Sequence, residues 1–344
     1  DLSHHGGILC NFIENWYDMQ VKTVQYGLGK NGHRSKITGD WVSGPDTLTT
    51  EELGANRFDF GGLTFKHELD DEFWKSRTPD YSKIKVPFLS AGNWGGQGLH
   101  TRGNVEGFVR SASDQKWLEM HGIEHWTHFY TDYGRLMQLK FFDYFLKGEK
   151  NGWDQQPKVL LNVRHPGEKF TLRPETTWPL ASTQWTKMYI DATSSSLGTS
   201  AIDKEGKVTY RGLSEGVTFL TAPLEQETEI TGQLAAKLFV SSSTVDADMF
   251  LIMRIFDPNM KEITFQGALD PNTPIAQGWL RASHRELDPT LSVPYRPYHP
   301  HTKKRAIKDR CVCRQCCSTS CTTKFPQFAS GDVSRSRSKF LGCC

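Results

Sequence analysis

Residues 85–129 constrain this chain more than any other stretch. Lys85-Val86-Pro87-Phe88-Leu89-Ser90 reads as a buried strand. It runs into Ala91-Gly92-Asn93-Trp94-Gly95-Gly96, a loop that only glycines could fold so tightly. A helix is expected next, then a short strand over residues 116–120. That strand opens onto Gly122-Ile123-Glu124-His125-Trp126-Thr127-His128-Phe129. Strand, tight loop, helix and strand make part of an α/β sheet, whose chemistry lies beyond the carboxyl ends of its strands. His125 is on such a loop.

The flanking regions differ in texture. Residues 1–80 mix helix and loop signals, as a cap region would. Residues 7–13 fit helix or strand equally, Thr49-Thr50-Glu51-Glu52-Leu53 starts a helix with acidic first-turn residues, and residues 65–74 fit a partly exposed helix. Residues 132–148 carry the clearest helical pattern, with Leu136, Leu139, Phe142 and Leu146, and Met137, Phe141 and Phe145 beside them, in one broad apolar stripe and Lys147-Gly148 as the stop. Residues 149–157 read as a linker. Beyond Pro157 the period changes to two. Strands are expected at 159–163, 187–190, 207–210, 217–220, 235–240, 249–256 and 263–266, a spacing that suits a β-sandwich of jelly-roll type. After Thr302 neither period survives.

Composition narrows the function classes. Forty-one Lys and Arg against 39 Asp and Glu leave a net charge of +2, which gives no reason to expect nucleic acid or an anionic membrane as partner. No apolar run is long enough to span a bilayer, and no secretory leader is visible. The chain opens on Asp1 rather than Met, as a fragment or processed chain would. Cys10 stands alone, and the other seven of the eight cysteines fall at 311–344. The first 310 residues therefore look like a reduced, cytoplasmic protein.

Five features could carry chemistry. His125, just past a sheet strand, has the position of a general base in nucleophilic hydrolysis, although an isolated histidine is more often structural. His121-Gly122-Ile123-Glu124-His125 matches the inverted zinc-peptidase pattern, but Gly122 and the strand-like lead-in oppose the continuous helix that zinc ligation needs. Gly212-Leu213-Ser214-Glu215-Gly216 matches a nucleophile elbow. Expected strands on both sides, and a position after His125, make it a hairpin turn instead. Cys311, Cys313, Cys316, Cys317 and Cys321 could bind a thiophilic metal, yet no flanking structure organises them and an unstructured or foreign tail is the simpler account. Asp246 and Asp248 suit a cap or turn better than a calcium loop. No metal or other cofactor is expected.

In combination these residues resemble the carboxy-terminal part of a cocaine esterase/Xaa-Pro dipeptidyl-peptidase-type serine hydrolase, the CocE/NonD family. Three stretches carry the resemblance. Residues 83–94 are similar to the strand before the triad acid. His125-Trp126 through residues 141–148 are similar to the histidine loop and its helix. Residues 219–224, 229–232, 246–248 and 278–285 are similar to the family's jelly-roll domain, of galactose-binding-like kind.

The resemblance implies an α/β plus all-β fold, a partial α/β-hydrolase sheet with cap helices followed by a jelly-roll sandwich. It implies domains at 1–148 and, incomplete, at 158–301, joined by the linker at 149–157, with 302–344 as a non-family tail such as a shifted reading frame would produce. It implies acyl transfer to water from small ester or aminoacyl, dipeptidyl-type substrates, with His125 as general base. Asn93, Trp94 and Trp126 would line the substrate, and a homo-oligomer is compatible with the fold. Two expected parts are missing. The triad acid would fall near Gly96, and Glu106 or Asp132 could only substitute for it. The nucleophilic serine would lie upstream of Asp1, so the chain alone is expected to be inactive and poorly soluble. The alternative is a catalytically inactive protein whose jelly roll acts as a binding module.

Overall fold

The computed structural model describes residues 3–307, 311–325 and 339–343. Their contacts form two units, one of residues 79–300 with the described residues from 304 on, the other of residues up to 78 with 301–303.

The smaller unit is made of short pieces. Strands β1 (His4–His5) and β2 (Ile8–Leu9) pair antiparallel and α1 (Phe12–Trp16) follows, so residues 7–13 are strand and then helix. Helix α2 (Thr50–Ala55) begins on a capping box, in which Thr49 Oγ1 accepts from the Glu52 amide and Glu52 Oε2 accepts from the Thr49 amide. The single helix expected at 65–74 is replaced by two, α3 (Phe60–Lys66) and α4 (Glu72–Lys75). Asp71 is extended and accepts from the Phe73 amide, which starts a new helix rather than continuing the old one.

The larger unit holds the α/β segment. Strand β3 (Phe88–Asn93) starts after Pro87, which cannot donate to a ladder, so the strand begins later than the apolar run suggests. Helix α5 (Thr101–Arg110) leads to β4 (Lys116–His121), which lies parallel to β3 in a register that sets Phe88 beside Lys116 and Asn93 beside His121. Helices α6 (Thr127–Tyr130) and α7 (Asp132–Lys147) precede β5 (Val159–His165), parallel to β4, and β6 (Lys169–Glu175) returns antiparallel on β5.

Alternation along β4 builds a core on each face of the sheet. Leu118 and Met120 join Val105 and Phe108 of α5 with Trp94, Val159 and Leu161. Trp117 points to the other face, against Phe141 of α7 and Trp153. The helix expected at 132–148 forms and stops at Gly148 in the left-handed conformation, φ 72°. Its stripe is only partly used, because Leu136, Leu139, Phe142 and Leu146 stay 46–77% exposed while Met137, Phe141, Tyr144 and Phe145 do the packing.

The remaining strands are β7 (Tyr189–Asp191), β8 (Ser196–Gly198), β9 (Thr218–Leu220), β10 (Thr228–Val240), β11 (Asp248–Phe256), β12 (Glu262–Ile263), β13 (Ala276–Arg281), β14 (Cys311–Phe325) and β15 (Lys339–Cys343). One mixed sheet has the order β10-β14-β5-β4-β3, with β6 on β5; the other runs β12-β11-β15-β9-β8-β7, with β13 on β11. Leu234, Ala236 and Leu238 of β10 pack against Leu251 of β11 and Ala276 of β13, which buries an apolar layer.

Two strand expectations are corrected here. Residues 207–210 form no strand, and nothing in the period after Thr302 predicts β14. That strand is specified by its partner instead, pairing antiparallel along β10 from Thr228 opposite Phe325 to Val240 opposite Cys311. Thr323 also pairs with Arg164 of β5, so a single sheet continues past the linker at 149–157. The Ser/Arg run at 334–338 lies outside the described residues. Among the described residues no helix is long and apolar enough to cross a membrane.

Leu161 is fully buried between β4 and α5. Leu161→Ala is expected to lower unfolding free energy by about 2–5 kcal/mol, read from the urea midpoint at unchanged slope.

Candidate functional site

A cleft of about 380 Å³ opens at the carboxyl ends of β3 and β4, lined by residues of β3, the start of α5, His121 and His125. Its floor follows from the strand register. Trp94 N–H donates to His121 O at 2.8 Å, one step past the last paired residues. Asn93 is 2% exposed, and its amide donates to Gly122 O at 3.0 Å and to Ile123 O. These bonds tie the loop after β4 to the end of β3. Ile123 holds a φ of 53°, a left-handed conformation unusual for a β-branched residue. On the other side Gly96 N–H and Thr101 Oγ1 both donate to Asn93 O, at 3.1 and 2.5 Å, and fold the glycine loop back onto the strand. A Cβ on Gly122 would lie 2.0 Å from the Phe170 ring, so only glycine fits between β4 and the histidine loop.

His125 is half-buried on that loop and lines the cleft. Its Nδ1 is buried without a hydrogen-bond partner among the described residues. His100 meets its ring edge-on at a centroid distance of 5.4 Å, and Trp126 does so at 4.6 Å. Burial, and then the charge of His125, push the His100 pKa below its ordinary value. The first residues of α5 border the cleft as well, and the positive end of a helix favours negative charge there.

Behind the cleft is a buried polar cluster on the α7 face of β4. Glu119 is 3% and His121 6% exposed. His121 Nδ1 lies 2.7 Å from Glu119 Oε2. The other carboxylate oxygen accepts from Tyr133 Oη at 3.2 Å and from Asn162 Nδ2 at 3.3 Å. His121 Nε2 is buried and has no partner among the described residues. The His128 ring stacks on His121 at 4.8 Å. Burial is the main reason that the Tyr133 phenol is held well above its ordinary range, with Glu119 adding to it. Burial and then His121 lower the His128 pKa, against an opposing pull from Glu119.

The sequence-predicted residues are brought together only in part. Asn93 and His125 share the cleft. Trp94 is fully buried in the core, its Nε1–H donates to Asn162 O at 2.9 Å, and it is not among the residues that line this cleft. Trp126 is 45% exposed and touches His125 from outside the cleft lining. Neither proposed acid reaches His125. Glu106 is held by Arg296 Nη1 at 2.6 Å, and Asp132, 85% exposed, pairs with Arg135. The helix needed for zinc ligation does not exist, because His121 ends a strand and His125 sits on a loop.

Ser214 lies in an exposed turn and donates to Arg211 O at 2.6 Å. Asp246 accepts from the Ser283 amide and Asp248 pairs with Arg281, both structural roles. The Cys311 and Cys313 sulfurs are 3.8 Å apart on β14. Sequence reasoning missed Glu119 and His121 as a pair. Two polar residues at i and i+2 of an otherwise apolar strand was the signal available.

Comparison with known proteins gives a consistent picture. Residues 151–305 match the X-Pro dipeptidyl-peptidase C-terminal non-catalytic domain. A curated relative, cocaine esterase of Rhodococcus sp. (strain MB1 Bresler), is 27% identical over 195 residues, which is 45% of this chain and 32% of that protein. A CocE/NonD family hydrolase from Staphylococcus aureus superposes with a TM-score of 0.80 at 26% identity, covering 99% of this chain and 57% of its own. An aminopeptidase from a marine sediment archaeon shares the fold, with a TM-score of 0.56, 15% identity, 85% of this chain covered and 53% of its own. The chain thus spans about a third of the curated relative and under three-fifths of these solved structures.

The lowered pKa values of His100 and His128 set a pH dependence. Both rings are neutral in the folded chain at a pH where the unfolded chain, near the ordinary value of 6.5, already binds protons. Stability is therefore full above that value and falls as pH drops below it. The urea midpoint should decline on acidification from pH 7 to 5, and H100Q and H128Q should each flatten the decline; an unchanged slope in both variants contradicts the assignment.

Proposed function

We propose that this chain, a carboxy-terminal part of the CocE/NonD hydrolase type, supplies the histidine side of a serine-hydrolase site. The sandwich is of jelly-roll kind in this reading, and the sheet of β3, β4 and β5 is the end of an α/β-hydrolase sheet. One observation carries it: His125 opens onto a cleft at the carboxyl ends of two parallel strands, where open α/β sheets do their chemistry.

The serine belongs to a part of the whole protein outside this chain's span, in keeping with the greater length of the relatives. His125 takes the hydroxyl proton as the serine attacks an ester or aminoacyl carbonyl, and returns it to the leaving group. Backbone N–H groups stabilise the oxyanion, by about 3–4 kcal/mol per donor. Small ester or peptide-like substrates fit a cleft of about 380 Å³. The names of the relatives, an esterase and an aminopeptidase, agree with that class.

A second reading, a binding module without catalysis, is favoured by one feature. Gly96 stands near where the family's acid would fall, so that His125 Nδ1 has no acceptor among the described residues. Kinetics of the intact protein separate the two. The intact protein should hydrolyse p-nitrophenyl acyl esters or aminoacyl p-nitroanilides, and H125Q should lower kcat/KM by about 10²-fold or more. This chain by itself should take up no fluorophosphonate label. An intact protein inert towards both substrate classes contradicts the hydrolase reading and supports the module.

A further inference from the structure

Two of the three histidines that line the cleft have complementary deficits. His125 has the position expected of a base, but its Nδ1 has no partner among the described residues. His121 has the orienting group. An ionised carboxylate only accepts hydrogen bonds, and Glu119 receives Tyr133 and Asn162 on one oxygen and His121 Nδ1 on the other. At 2.7 Å and with both side chains under a tenth exposed, Glu119 makes Nδ1 the protonated nitrogen. The neutral ring then carries its lone pair on Nε2, which is buried and without a partner among the described residues, on a residue that lines the cleft. A buried acceptor left unsatisfied is costly, which marks it as a place where a donor is expected. The Glu119 bond and the stacked His128 ring hold its orientation.

We propose that Glu119 and His121 form a carboxylate–histidine couple that is a second proton acceptor in this cleft. This rests on the hydrolase reading above and goes beyond it. A water in the cleft bonds through its oxygen to the acyl carbon of the acyl-serine as one O–H bond breaks, and that proton goes to His121 Nε2. The imidazolium so formed faces the Glu119 carboxylate, and as the acyl C–O bond to the serine breaks the proton passes to the serine oxygen, releasing the acid. Glu119 is a positioning residue: it sets the tautomer and does not take up the proton.

The test has two arms. On the intact protein, labelled with ¹⁵N-histidine, long-range ¹H–¹⁵N correlation should show His121 protonated at Nδ1 and bare at Nε2, with H121Q assigning the signals. E119Q should disturb that tautomer. Finding His121 protonated at Nε2 overturns the couple whatever the activity. On the intact protein, E119Q and H121Q should each lower kcat by about 10²-fold or more. KM should stay within about twofold, and the double variant should be no worse than the worse single one. If both variants fold and keep kcat while H125Q abolishes it, the couple is overturned and the hydrolase reading stands. If the parent itself is inert, the hydrolase reading fails and takes this catalytic role with it.

Discussion

The pairing of Asn93 with His121 at the shared end of β3 and β4 is the contact on which the rest of the site depends. Parallel strands need a crossover, and this one is α5, so the loops after both strands emerge on the same side of the sheet. The Asn93 amide then clasps Gly122 and Ile123, and its carbonyl gathers Gly96 and Thr101. A slip of one residue in this register would turn Glu119 and His121 to the α5 face and Leu118 and Met120 to the α7 face. The apolar core around Val105, Phe108 and Leu161 therefore specifies the polar cluster as firmly as it specifies itself.

In the proposed hydrolase reading, that arrangement divides between two residues what one histidine usually supplies. Position belongs to His125, on a loop strained at Ile123 and pinned by a single asparagine. Electrostatic preparation belongs to His121, on a strand and bonded to a buried carboxylate. Low exposure makes each of these interactions stronger than its surface counterpart, and makes each unpaired nitrogen more costly. His100 meets the His125 ring and His128 stacks on His121, and burial opposes the charging of both His100 and His128.

Much of this was legible in the residues. The glycine loop, the crossover helix, the histidine loop and the long helix ending at Gly148 all follow from local patterns, and the structure has each of them. What local patterns could not carry was long-range pairing. Strand β14 exists because β10 offers it a partner along its length, not because Cys311–Phe325 alternates in hydropathy. Trp94 reads as a loop aromatic at a cleft mouth, yet its indole finds Asn162 O across the sheet and is buried for that reason. Glu106 looks available as an acid until Arg296, distant in sequence, claims it. The role of Glu119 and His121 was half visible. Their spacing on a strand puts them on one face, but only the packing of α7 brings Tyr133 to close the cluster.

In the proposed hydrolase reading, the reaction takes place in the cleft at the ends of β3 and β4. A crystal structure of the intact protein after reaction with a serine-directed phosphonate tests it most directly. The expected result is a phosphonyl adduct whose oxygens lie in the cleft beside Gly92, Asn93 and His100, within hydrogen-bond reach of His125 or His121. An adduct seated elsewhere, with this cleft empty, would contradict the claim.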